Sequence, residues 1–281
     1  MSDALSQPME FDGGQSDYQG SKPLLQLESI VKRFGGLAAI DNLSFALHKG
    51  EILGVIGPNG AGKSTMIDLI GGATTPNSGT IYYQEHNIAS LSPHQRTQRG
   101  IVRTFQIAQP FNGLDVRENV MVGALFGQRR LKRARALRAA DEVLEKVKLA
   151  HKATFKGDQL TIAERKRLEI ARALATDPQL LLLDEVMAGL TPVEVAQAVE
   201  LIRQINRSGV TVVVIEHIVG AVATVSNRVL VLHHGRKIAE DEPAHVLSDP
   251  KVIEAYLGKR YAQKRTQENA SGLSNVKEAN R

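Results

Sequence analysis

The sequence predicts an α/β fold whose central strands are buried on both faces. Three stretches carry that reading. The short apolar run Glu51–Ile56 leads into Gly57-Pro58-Asn59-Gly60-Ala61-Gly62-Lys63-Ser64-Thr65, and Lys63 to Ile70 then places Met66, Ile67, Leu69 and Ile70 as a helix would. Leu180–Leu183 is apolar at every position and ends in Asp184-Glu185, as expected of a central strand in a parallel sheet. Thr211–Ile215 is a second such run and ends in Glu216-His217.

The totals agree. A chain of 281 residues can bury a sizeable core, as one large domain or two small ones. Its 42% hydrophobic and 23% charged residues are ordinary for a globular protein. Aromatic residues make up 4%, with no Trp, which argues against a stacking surface for single-stranded nucleic acid, so no nucleic-acid partner is expected. The absence of Cys removes disulfides and thiolate metal sites. There is no N-terminal signal pattern and no apolar run near the ~18 residues of a spanning helix. The chain is therefore expected to stay on the side of the membrane where it is made. A net charge of +5 permits anionic partners without specifying one.

Residues 1–22 are polar and rich in Gly, Ser and Gln, and are expected to be a disordered tail. A first strand follows Pro23 over Leu24–Ile30, with a strand end and turn over Val31–Gly36. Asn42 to His48 alternates through Leu43, Phe45 and Leu47 as a second strand. Lys49-Gly50 turns into the strand before the Gly-rich loop. Pro76-Asn77-Ser78-Gly79 is a turn, Thr80–Tyr83 a strand, Pro93–Arg99 a short helix and Ile101–Phe105 another strand. From Val116 to Ala150 the pattern becomes largely helical. Val116, Val120, Met121 and Leu125 share one face, and Leu131, Ala134, Leu137, Leu144 and Val147 outline another. The basic cluster Arg129, Arg130, Lys132, Arg133, Arg135 and Arg138 reads as a solvated face, with a lipid-headgroup or partner contact as the alternative. Beyond Leu180–Glu185, Thr191 and Pro192 start a helix that runs to about Arg207 and stops at Gly209. Arg228–Leu232 and Lys237–Ala239 flank the turn His234-Gly235, and Val252–Leu257 is a short apolar helix. Residues 259–281 are polar and basic, and are expected to be disordered.

Residues 57–65 fit G-x-x-x-x-G-K-[ST], with the strand before and the helix after that this phosphate-binding loop requires. Small residues let backbone N–H groups encircle phosphate oxygens, and the helix N-terminus adds partial positive charge. Lys63 is expected to reach the β- and γ-phosphates of a nucleoside triphosphate, and Ser64 to ligate Mg²⁺. Asp184 at a strand tip is a second Mg²⁺ ligand, and Glu185 a base for the attacking water. His217, on another strand tip, can touch the γ-phosphate. Gln106 can ligate Mg²⁺ through its amide oxygen and orient water through its N–H. Leu160-Thr161-Ile162-Ala163-Glu164 precedes a helix with apolar Leu168, Ala171, Leu174 and Ala175.

Phosphate loop, Gln106, pre-helix segment, carboxylate strand, Ala188-Gly189-Leu190-Thr191 and His217, in that order, resemble the ATPase subunit of an ABC transporter over about residues 24–258. Arg103-Thr104-Phe105-Gln106, Glu185–Leu190 and Val252–Gly258 resemble most closely its branched-chain amino acid importer branch. The resemblance implies a P-loop NTPase core of ABC-ATPase type over residues 23–258, with an N-terminal antiparallel β-subdomain and a helical subdomain inserted at about 107–175. It implies ATP and Mg²⁺ as ligands, with Phe34 stacked on adenine and Gln106 marking the loop that senses the membrane partner. It implies integral-membrane permease subunits, a second ATPase subunit and, indirectly, a substrate-binding protein as partners, and a peripheral place at the cytoplasmic face of the inner membrane. Thr191 stands where the family usually has Asp. The family's Leu-Ser-Gly-Gly-Gln, which binds the γ-phosphate held by the other subunit, is here Leu160–Glu164. Thr161 keeps the hydroxyl and Ala163 is small enough for close approach, while Glu164 brings negative charge that Arg165, Lys166 and Arg167 are expected to balance. The expectation is a pair formed with a different ATPase subunit. Rival readings are an ABC ATPase for another cargo (urea or short amides, aromatic acids, lipopolysaccharide export) and a soluble ATP-driven switch on ribosomes or DNA.

Overall fold

The structure, a computed structural model, describes residues 21–104, 110–111 and 113–257. The elements run β1 (Leu25–Phe34), β2 (Leu37–Leu47), β3 (Ile52–Ile56), α1 (Lys63–Gly71), β4 (Ser78–Tyr83), β5 (His86–Asn87), α2 (Pro93–Thr97) and β6 (Ile101–Arg103). Then come α3 (Val116–Phe126), α4 (Arg133–Lys146), α5 (Ile162–Leu174), β7 (Leu180–Asp184), α6 (Pro192–Arg207) and β8 (Thr211–Ile215). The last are α7 (Val219–Val225), β9 (Arg228–His233), β10 (Arg236–Asp241), α8 (Pro243–Ser248) and α9 (Pro250–Leu257).

Two sheets result. The small one is antiparallel, in the order β2-β1-β4-β5, and the large one runs β10-β9-β3-β8-β7-β6. In the large sheet only the β10–β9 pair is antiparallel. Every residue of β3, β7 and β8 is buried, as their unbroken apolar runs require. Alternate residues serve two cores. Leu180, Leu182, Val213 and Ile215 pack with α1 and the small sheet, whereas Leu181, Leu183, Val212 and Val214 pack with α6 and the helices α3–α5. Parallel order puts the carboxyl ends of β3, β8 and β7 side by side, which is where an open α/β sheet binds its ligand.

The fold departs from the sequence expectation in identifiable places. β2 begins at Leu37, five residues before the alternation at Asn42, because Asn42 itself is left-handed (φ 57). Ser29 (φ 48) does the same inside β1, and the β1–β2 register shifts between Leu27 and Arg33. α7 and α8 form where the sequence reading places no helix, although Pro243 opens the first turn of α8. α7 lies against β3, where a Cβ on Gly54 would come within 2.4 Å of Val222 and 2.5 Å of Ser226, so the contact needs glycine. Phe105 falls outside the described residues. Among the described residues no helix is long and apolar enough to cross a membrane.

Arg96, on α2, is completely buried and has only carbonyl partners among the described residues. Its Nη1 donates to Ile70 O (2.7 Å) and to Leu69 O, and its Nη2 to Ile88 O (2.7 Å) and Ala89 O (3.2 Å). Nε donates to Leu91 O at 3.1 Å. Burial pulls the guanidinium down to about 10. The Leu69 and Ile70 carbonyls belong to the last turn of α1, so a cation sits at the negative end of the helix whose other end opens the phosphate loop. Arg96→Met leaves these carbonyls without donors, and the expected loss is about 3 kcal/mol or more of folding stability, read as a lower urea midpoint.

Candidate nucleotide site

The loop after β3 is fixed by close backbone approach. A Cβ on Gly57 would stand 2.2 Å from Leu232 O, and one on Gly62 (φ +104) 2.5 Å from Ala39 O. Gly235 N–H donates to Ala61 O (2.9 Å), and Asp41 N–H to Gly235 O (2.9 Å), tying the loop to the β9–β10 turn and to β2. Lys63 is buried, and its Nζ donates to Gly57 O (2.6 Å) and Pro58 O (3.1 Å). Burial lowers the ammonium's pKa, against the opposing pull of Glu185 and Asp184.

A cavity of about 470 Å³ opens above this loop. Phe34, Asn59 to Thr65, Glu185 and His217 line it. Phe34 is 54% exposed at the end of β1, with Lys32 Nζ 5.0 Å from its ring centroid. Gly57 and Pro58 lie beneath the opening as partners of Lys63. Thr161 and Ala163 do not line it; they begin α5. Gln106 lies outside the described residues.

Asp184 is buried at the tip of β7. Arg103 Nη2 donates to its Oδ2 at 3.2 Å and also pairs with Asp68. Its Oδ1 is buried with no hydrogen-bond partner among the described residues. Burial raises the carboxyl's pKa, opposed by Arg103. A buried carboxylate oxygen of this kind, with the Ser64 hydroxyl exposed at the start of α1, suits a hard cation with oxygen ligands. Among the described residues no group of three His, Cys, Asp or Glu could hold a metal alone, so phosphate and water would have to complete the shell.

Glu185 follows in a left-handed conformation (φ 52) that a non-glycine residue holds only when its surroundings impose it. His217 Nε2 lies 2.8 Å from its Oε1. Beside them, Glu216 is buried and accepts from Met187 N–H at 2.6 Å. Burial pushes its carboxyl up to about 7, Glu185 adds to the rise, and Lys166 and the amides of Met187 and His217 oppose it.

The balance of charge at the start of α5 differs from expectation. Glu164 turns back onto its own helix start, accepting from Thr161 N–H (2.9 Å), while Thr161 Oγ1 accepts from Glu164 N–H (3.3 Å). Lys152, 2.8 Å away, is its ion-pair partner. Arg165 is bonded to the Leu160 and Asp158 carbonyls, Lys166 to Glu185 O, and Arg167 to Gln197. The three cations expected to balance Glu164 are thus engaged elsewhere. The Ala163 side chain is buried, and Ile162 is the large residue left exposed there. Arg103, Lys152 and Glu216 were not singled out as site residues from the sequence. Two of them sit at strand tips and were open to the same argument as Asp184; nothing local marks Lys152.

A phosphate loop, a strand-tip carboxylate pair and a His on neighbouring strands of a parallel sheet define a nucleoside triphosphatase. Residues 40–188 match the family described as ABC transporter, and residues 236–262 the one described as branched-chain amino acid ATP-binding cassette transporter. The high-affinity branched-chain amino acid transport ATP-binding protein LivG of Salmonella typhimurium is 37% identical over 252 residues, 85% of this chain and 99% of that protein. A solved ADP conformation of an ATP-binding cassette of an ABC transporter matches with TM-score 0.78 and 33% identity, over 85% of this chain and all of that one (100%). A dimeric post-hydrolysis state of an ATP-binding cassette, bound to ADP and Pi, matches with TM-score 0.71 and 27% identity, over 78% and 98% of the two chains. The chain belongs to the ABC transporter family, as an ATP-hydrolysing cassette of a transporter.

The raised Glu216 carboxyl has a consequence for stability. Between 4.5 and about 7 the folded chain keeps a proton that the unfolded chain has lost. This group's contribution is therefore full below 4.5 and is lost as pH rises towards 7. Glu216→Gln removes that slope. The expected gain relative to the parent at pH 8 over pH 4.5 is on the order of 2 kcal/mol, by denaturant titration at both pH values.

Proposed function

We propose that this chain hydrolyses ATP to energise uptake of branched-chain or related amino acids through separate membrane subunits, at the cytoplasmic face of the cell membrane. The chemistry rests on one observation: Lys63, Asp184, Glu185 and His217 converge from three adjacent strand ends on one loop. The cargo rests on the likeness to LivG and on the match at residues 236–262.

In this reading Phe34 stacks on adenine, and the amides of residues 57–65 with Lys63 hold the phosphates. Ser64, Asp184 and Gln106 hold Mg²⁺, which when bound supplies charge neutralisation on the phosphates. Glu185 takes a proton from the attacking water. His217, 2.8 Å from it, orients the γ-phosphate and shares that proton. Thr161 and the backbone at Ala163 face the nucleotide of a second ATPase subunit, which we take to be a different chain. A groove of about 390 Å³ between α2–β6 and α3–α5, with Phe111 and Phe126 exposed on its rim, suits a permease segment. A binding protein would deliver cargo to that permease.

Glu185→Gln is expected to lower turnover at least ~100-fold while ATP affinity is unchanged, measured by phosphate release and equilibrium nucleotide binding. Retained turnover removes Glu185 as the base. For the cargo, detergent purification of the tagged chain should recover multi-span membrane proteins and a second ATPase. That complex in vesicles should take up leucine only with ATP. Recovery of ribosomes or DNA instead overturns the transport reading, and equal hydrolysis by the chain alone and by the mixed complex overturns the mixed pair.

A further inference from the structure

Two side chains with no assigned role meet on the turn that carries Glu185. Lys166, on α5, sends its Nζ to the main-chain carbonyl of Glu185 at 2.9 Å. Glu216, at the tip of β8, accepts Met187 N–H at 2.6 Å and is 1% exposed. The turn between these two anchors is tight. Glu185 N–H donates to Ile215 O (2.9 Å), and Ala188 N–H reaches the same Glu185 carbonyl that Lys166 holds (3.3 Å). Val186 and Met187 are buried, whereas Ala188 and Gly189 are exposed. The left-handed backbone at Glu185 (φ 52) is unfavourable for a non-glycine residue unless its surroundings over-determine it. Lys166 and Glu216 hold it at two points, the Glu185 carbonyl and the Met187 N–H.

We propose that Lys166 and Glu216 are positioning residues that clamp residues 185–190, so that the aim of the Glu185 carboxylate and the exposed edge at Ala188–Gly189 are set together. The clamp also joins two distant parts of the site. Lys166 lies five residues along α5 from Thr161, about 7.5 Å of helix rise. A displacement of the Thr161 end by a bound partner therefore pulls on the carbonyl of the base through one rigid element. Glu216 connects the same turn to His217, its chain neighbour. The side chain of Glu216 accepts from the main chain and touches no reacting atom, so its effect runs through Met187. The proposal rests on the reading of Glu185 as the base.

The test uses the full-length chain with MgATP. Lys166→Met is expected to lower kcat about tenfold, with ATP affinity by equilibrium binding within about twofold of the parent. Glu216→Ala should do the same. Glu216→Gln, whose amide oxygen still accepts from Met187, should recover most of kcat. K166M/E216A should lose no more than the larger single loss, because both residues act on one turn. A kcat within about twofold of the parent for Lys166→Met, or equal losses of affinity and turnover, overturns the clamp. If Glu216→Ala does not fold, Lys166→Met and Glu216→Gln decide. Failure of the base reading is seen separately, as turnover retained in Glu185→Gln.

Discussion

A buried ammonium bent back onto its own loop is the constraint from which the site follows. Lys63 Nζ is held by the carbonyls of Gly57 and Pro58, out of water, and burial works against its charge. Desolvating such a group costs several kcal/mol unless opposite charge stands close. The carboxylates that oppose the loss are Asp184, the last residue of β7, and Glu185, which follows it. They reach Lys63 because β8 alone separates β3 from β7. Strand order therefore has an electrostatic reason as well as a packing one. The same carboxylates that stabilise Lys63 are the ones suited to a cation and to a water proton, so one cluster of charge serves both the fold and the proposed chemistry.

Around that centre, backbone and side chains divide the work. The phosphate loop is joined to β9, to the β9–β10 turn and to β2 by main-chain contacts too close for any Cβ at Gly57 or Gly62. Arg228 adds a second junction between the sheets, pairing with Glu51 and Glu240 and donating to Ala46 O. The turn after β7 is fixed differently, by the side chains of Lys166 and Glu216. The loop proposed to hold phosphate is set by backbone. The turn after β7 is set by side-chain contacts that a shift of α5 can alter.

What could be read from the sequence was local in the chain. An apolar run followed at once by a polar residue marks a buried strand and its tip, which located Asp184, Glu185 and His217. The Gly-rich loop lay between its own strand and helix. Patterns failed where the backbone breaks its period, as at Ser29 and Asn42, whose left-handed φ sits inside strands. They failed also for α7, whose β-branched Val-Gly-Ala-Val-Ala-Thr-Val helix is decided by packing on Gly54 rather than by propensity. The four leucines of β7 hid their alternation between two cores, since identical residues carry no period. The carbonyl cage of Arg96 and the pairs Arg103–Asp184 and Lys152–Glu164 have no local signature, because each joins residues that only the finished fold brings together.

The segment at residues 160–164 is where sequence and structure inform each other most. Loss of two glycines raises the question of whether the backbone there needed them. No residue from 160 to 164 has a positive φ, and Thr161 takes the extended conformation of an N-cap, so the chain adopts this path without strain. Charge is not the obstacle either, since Glu164 is bonded to Thr161 and paired with Lys152. What remains is shape. The amides of Thr161 and Glu164 are committed to the capping box, and Ile162 stands 62% exposed where a glycine would leave the helix start open. A partner approaching this end of α5 meets an apolar side chain before it meets backbone N–H. Two copies of one chain would place that isoleucine against both nucleotides. A pair with a second chain would place it against one, which is consistent with the mixed pair proposed above.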